Sequence, residues 1–157
     1  MIPFAALVLV AQMATPPAQA DAVRIAPPIA FAPPPDAAVI ENSGSTNFAG
    51  YRIAVSPNGS ALYAAPGGVR RGRVTPATAR WLFRTLRENA PLSALGGTSC
   101  MKSVSFGTST TIAWHGERSA DLSCGGSPGT VELTRTIGVI EKQLDVVPAP
   151  GNRRYKQ

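Results

Sequence analysis

The stretch "YRIAVSPNGSALYAAPGGVRRGRVTPATARWLFRTLREN", Tyr51 to Asn89, changes its hydrophobic period part-way along, and that change sets the class of fold. Up to Val55 the pattern has a period of two: Tyr51, Ile53 and Val55 share one face while Arg52, Ala54 and Ser56 take the other, as in a half-buried strand. Ser56-Pro57-Asn58-Gly59 predicts a hairpin turn, because proline presets φ at the second position and glycine takes the positive φ that closes it. A second strand runs through Leu62 and Tyr63, and Gly67-Gly68 breaks it. "VRRGRV", Val69 to Val74, then predicts a short third strand carrying Arg70, Arg71 and Arg73. From Thr75 the period becomes that of a helix. Thr75 is a good N-cap, and Pro76 follows at the first helical position, where its missing N–H costs nothing. Ala79, Leu82, Phe83, Leu86 and Ala90 form one buried stripe, with Arg80, Arg84 and Arg87 on the other side. Trp81 falls outside that stripe and is expected on the outer face with Arg84 and Glu88.

Downstream, "NAPLSALGGTSC" predicts a short turn whose Leu92 and Leu95 plug the end of the core. The next hairpin, in "TSTTIAWHGERSADLSC", must turn near His115-Gly116, and parity of the facing residues sets its length. A two-residue loop would pair Trp114 with Glu117 and set Ile112 on the face of Ser119 and Asp121, a poor core. A three-residue loop of His115, Gly116 and Glu117 pairs Trp114 with Arg118, Ile112 with Ala120 and Thr110 with Leu122, and is the one expected. Ser127-Pro128 starts a last helix with Leu133, Ile137, Ile140, Leu144 and Val147 on one face, ended by Pro148. The order ββ(β)αββα predicts an α+β two-layer sandwich: an antiparallel sheet of four or five strands with both helices on one face and a polar opposite face.

Outside this core the ends read differently. "MIPFAALVLVAQMATPPAQA" is an apolar run with a small-x-small ending at Ala18-Gln19-Ala20, so residues 1–20 are expected to be a secretory signal peptide cleaved near Ala20; no Lys or Arg precedes the apolar run, so either the terminal amine supplies the positive charge or the true start lies upstream. Residues 21–41 hold five prolines and read as an extended spacer, with the alternative that they lie along the domain as an arm. The domain is expected over 42–147, and "PAPGNRRYKQ", 148–157, is a basic tail. No transmembrane segment is expected in the mature form, which is placed in the periplasm or outside the cell.

In an oxidising compartment the two cysteines, Cys100 and Cys124, are expected to form one disulfide. A redox site would need them close in sequence at a helix N-terminus. A zinc site would have to recruit His115, the only histidine, from the far tip of the hairpin, so no metal or cofactor is expected. As a catalytic base His115 would need a nucleophile and an orienting acid fixed around it, with Ser109, Asp121 and Glu117 the nearest choices. A turn tip is a poor place to fix them. No catalytic residue is assigned, and a hydrolase using His115 is the least favoured of three readings.

"GYRIAVSPNGSALY", "TPATARWLFRTLREN", "TIAWHGERSADLSC" and "IGVIEKQLD" resemble an uncharacterised family of bacterial exported domains with strand-strand-helix-strand-strand-helix order, over Tyr51 to Asp145. The resemblance implies the fold and export, and no activity; the chain lacks the lipid-attachment cysteine that many such relatives would carry. A more distant likeness, in architecture alone, is to small secreted protease inhibitors.

The charge is +6, from 15 basic and 9 acidic residues, which favours anionic partners. Arg70, Arg71, Arg73, Arg80, Trp81, Arg84 and Arg87 are the candidate binding residues, since tryptophan and arginine are the types enriched at interface hot spots. An anionic envelope component or an exported protein is the expected partner, and no nucleic acid. The plainer alternative is a solvated helix face with Trp81 covered by the proline-rich segment. The sequence therefore reads first as an exported non-catalytic interaction domain, and second as an inhibitor docking through the Cys100–Cys124 loop.

Overall fold

A computed structural model describes residues 30–97, 99–103, 105 and 107–146. The expected leader, the first part of the spacer, Val147 and the basic tail lie outside the described residues. Among the described residues there are six strands: β1 (Ala38–Asn42), β2 (Tyr51–Val55), β3 (Ser60–Ala65), β4 (Gly68–Arg73), β5 (Thr110–Trp114) and β6 (Glu117–Arg118). Two helices, α1 (Pro76–Glu88) and α2 (Pro128–Gln143), and two 3-10 turns, Leu92–Ala94 and Leu122–Cys124, complete the described elements. The sheet is antiparallel throughout, in the order β4-β3-β2-β1-β5-β6.

The architecture is the expected α+β sandwich, with six strands in its sheet where four or five were expected. The extra strand is β1, which begins inside the stretch read as a spacer ending at Glu41. "AVIEN" is too short to declare a period in sequence, yet it pairs on both sides, Ile40 opposite Ile53 of β2 and opposite Ile112 of β5. A strand with two ladders gains twice the pairing of an edge strand over the same five residues. It also joins the β2–β3–β4 meander to the β5–β6 hairpin. Without it the two halves of the sheet would not meet.

Both helices cover the same face. Ile40, Ile53, Val55 and Ile112 from the sheet meet Leu82, Phe83 and Leu86 of α1 and Leu133, Ile137 and Ile140 of α2 in one core, plugged at one end by Leu92 and Leu95. Ala90 is exposed, because α1 ends at Glu88 before that turn is completed. The caps are as read: Thr78 N–H donates to Thr75 Oγ1 (3.2 Å) and Thr130 N–H to Ser127 Oγ (3.3 Å). Gln143 near the end of α2 bonds Thr75 N–H (2.9 Å) and Thr78 Oγ1 (3.0 Å) at the start of α1, so the helices run antiparallel.

The β5–β6 hairpin corrects the expectation of a three-residue loop. Trp114 pairs with Glu117 and Ala113 with Arg118, leaving a two-residue turn of His115 (φ 50°) and Gly116 (φ 81°), both in the left-handed region that such a turn requires. A three-residue loop would be required only if β6 ran on to Leu122. That strand ends at Arg118, and buried Ser119 sits opposite Ile112, its Oγ accepting from Ile112 N–H (3.0 Å) and donating to the Ala120 carbonyl (2.8 Å). Leu122 then reaches the core from a 3-10 turn. The hydroxyl that made this register look poor is fully bonded to backbone.

The opposite sheet face is partly covered by the chain that leads into β1. Phe31 lies under the Arg52 guanidinium (4.5 Å), and Ala32 and Pro34 border a cleft with Ala54, Leu62 and Arg71; on the helix side of the sheet Trp114, packed on Phe83, donates Nε1–H to the Asp36 carbonyl (3.2 Å) as the chain enters β1. The described part of the proline-rich segment therefore lies on the domain as an arm, across the sheet from the helices, and not over Trp81. It buries Ala54, a residue expected on a solvated face.

Candidate functional site

The seven residues singled out for binding divide into three groups. Arg70 is taken up by the fold: its Nη2 donates to the Leu144 (2.6 Å) and Asp145 (2.7 Å) carbonyls beyond α2, and the guanidinium lies over Tyr63 (4.6 Å). A cation at a helix C-terminus meets carbonyls that lack helical donors. Arg71 and Arg73 alternate onto the sheet face away from the helices, as the pairing of Leu62 with Arg71 requires. Arg80, Trp81, Arg84 and Arg87 stay together on the exposed side of α1.

Trp81 is 45% exposed, with the Arg84 guanidinium stacked 4.0 Å above its ring and Arg84 Nε 3.8 Å from Glu88. Beside it runs an open groove of about 640 Å³ between α1 and α2, lined by Ala77, Trp81, Pro128, Val131, Arg135 and Val139 among others. Val131 and Val139 are 55% and 40% exposed, so with Trp81 they make an apolar surface facing solvent. On the other flank of Trp81, Arg80, Arg84 and Arg87 border a second hollow floored by Phe83. Among the described residues, Arg80, Arg87 and Arg135 have no carboxylate within ion-pairing distance. The valines were missed in sequence, although they carry a signal: both are apolar and β-branched and stand off the buried stripe of α2.

The cysteine region is built differently. Cys100 and Cys124 are disulfide-bonded, with Cα atoms 5.4 Å apart. Inside the loop so closed, the Lys102 ammonium donates to the Thr108 carbonyl (2.6 Å), Ser123 Oγ (2.6 Å) and Ser109 Oγ (3.1 Å), and pairs with the Asp121 carboxylate. Asp121 Oδ1 accepts from the N–H groups of Thr110 (3.1 Å) and Ser123 (3.0 Å). Burial pushes the Asp121 carboxyl up, but hydrogen bonds from Lys102, Ser123, Ser109 and the Thr110 N–H outweigh it and hold the group well below the usual carboxylate range. The residues sequence reasoning missed here are Lys102 and its oxygen cage. An ammonium paired with a carboxylate kept ionised forms a polar clamp inside the disulfide-closed loop.

His115 stands at the turn, its ring stacked on Trp114 (4.0 Å between centroids). Asp121 bonds the first residue of β5 and His115 follows the last, so a five-residue strand, roughly 16 Å, separates them. Glu117 is engaged elsewhere, accepting from Leu92 N–H (2.7 Å). Among the described residues, no hydrogen bond or ion pair joins this histidine to an acid or a serine.

Two further charged groups belong to the frame. Glu41 bridges Arg52 (2.8 Å) and Arg118 (2.6 Å) across the outer sheet face. On the core side Tyr51 Oη donates to Glu141, and burial first, then that carboxylate, raises the phenol far above its ordinary value. Among the described residues no group of three or more His, Cys, Asp or Glu could hold a metal ion, and no helix is long and apolar enough to cross a membrane. Comparisons with protein-family models, with curated proteins and with solved structures returned no match to this chain.

Proposed function

We propose that the chain is an exported, non-catalytic interaction domain that binds an anionic partner through the outer face of its helix layer. One observation carries the reading: Trp81 stands exposed with Arg84 stacked on it, between an apolar groove and a hollow bordered by Arg80 and Arg87, which have no ion-pair partner among the described residues. A half-exposed tryptophan held by a guanidinium loses little conformational freedom on binding and offers both apolar area and charge. The Cys100–Cys124 disulfide is compatible with export to an oxidising compartment.

The test is retention of the protein on a sulfated matrix over a salt gradient. Arg80/Arg87→Ser should elute at clearly lower salt than an Arg71/Arg73→Ser control with the same loss of two charges on the opposite face. Equal shifts from both sets would mean that net charge alone drives retention, and the proposal would fall.

A further inference from the structure

We infer that the groove between α1 and α2 receives one class of occupant: an amphipathic protein helix whose apolar stripe is flanked by acidic residues. This rests on reading the face as a binding surface, and it names what binds there.

The first reason is the backbone. α1 and α2 satisfy their own N–H and C=O groups, so the groove offers no ladder to an extended peptide. An occupant that buries its main chain against Trp81, Val131 and Val139 must carry its backbone hydrogen bonds within itself, which a helix does. The length agrees. Pro128 to Val139 on α2 spans roughly 16 Å at about 1.5 Å per residue, or three turns of helix.

The second reason is charge. Arg135 and Glu132 both line the groove on the α2 side and balance each other, whereas beyond Trp81 the α1 side carries Arg80, Arg84 and Arg87 against Glu88 alone. The α1 side is therefore left positive, and glutamates flanking an apolar stripe would meet their complementary charge there. The third reason is local propensity. Valine is a poorer helix former than alanine, and at positions 131 and 139 it stays half-exposed, so the domain gains little core burial in return. A polyanion would use the arginines and leave these valines in water.

The test titrates the full isotope-labelled chain, followed by NMR at the Trp81 indole N–H, with three synthetic helical peptides. All are the same length: one has a leucine stripe flanked by glutamates, one the same stripe flanked by lysines, and one is a scramble of the first. Phosphatidylglycerol vesicles and heparin are run in parallel. The glutamate-flanked helix should bind at least about tenfold tighter than either control peptide. Val131→Asp and Val139→Asp should each weaken it by a similar factor while circular dichroism stays unchanged. Equal binding of the scramble or the lysine peptide, no binding of any peptide, or indifference to both valine variants would overturn the inference. So would vesicles or heparin that shift the indole signal and compete the peptide away while ignoring the valine changes. These results leave the anionic-partner reading standing if retention on the sulfated matrix still responds to the α1 arginines; a null there removes that reading separately.

Discussion

Two cationic regions of this molecule have the same sign of charge and opposite fates. Lys102 spends its ammonium on four oxygens inside the loop closed by Cys100 and Cys124, and its side chain is 22% exposed. Arg80, Arg84 and Arg87 spread along α1 with their charges in water and an exposed tryptophan among them. A cation whose donors are all taken by its own chain contributes stability. A cation left hydrated beside apolar surface contributes little to the fold and remains available to a partner. The contrast makes a double expectation: changes in the first region move stability and not binding, and changes in the second do the reverse.

The largest effect should come from opening the covalent loop. Cys100→Ser with Cys124→Ser frees a closed loop whose ends are 24 residues apart, so unfolding in urea should show a loss of about 3.5 kcal/mol on the chain-entropy account. A loss near zero would mean that the loop is held by its polar clamp alone. Next is the clamp: Lys102→Met strips Asp121 of its ion pair and should cost about 2 kcal/mol in the same assay.

The pH dependence of the clamp has a definite sign. The Asp121 carboxyl is depressed in the folded chain, so its contribution is complete above the ordinary carboxylate pKa, about 4, and fades as pH falls below it. Asp121→Asn should flatten that part of the acid limb of stability; an unchanged limb would refute the role given to this group.

A smaller effect, about 1 kcal/mol, is expected for Ser119→Ala, which leaves the buried Ile112 N–H without its acceptor. The smallest belongs to the helix face. Trp81→Ala, Val131→Asp and Val139→Asp should each lie within about 0.5 kcal/mol of the parent, since they remove exposed groups outside the core. Destabilisation of 2 kcal/mol or more by any of these would turn the groove into a structural feature and break the contrast.

Much of this was legible from residues alone. The turn at Ser56–Gly59, the capped starts of both helices and the face of α1 that buries Leu82, Phe83 and Leu86 follow from local rules, and the structure has them. The pairing of Cys100 with Cys124 was readable because no other cysteine exists. The candidate surface was half legible. Trp81 off the apolar stripe was visible from the helical angle, whereas Val131 and Val139 became neighbours only once the two helices lay side by side. Arg70 could not be separated from its neighbours in sequence, because the carbonyls it caps lie 74 and 75 residues away.

What the sequence determined by itself is whatever a residue settles with neighbours a few positions along: turns, caps, helix faces and the period of each element. The tertiary structure alone decided which short segment became a central strand, where β6 stops, and which arginines remain hydrated. Those outcomes depend on pairing partners distant along the chain. Ile40 finds Ile53 and Ile112, Ser119 finds the Ile112 N–H, and Lys102 finds Asp121, and no local period encodes such meetings.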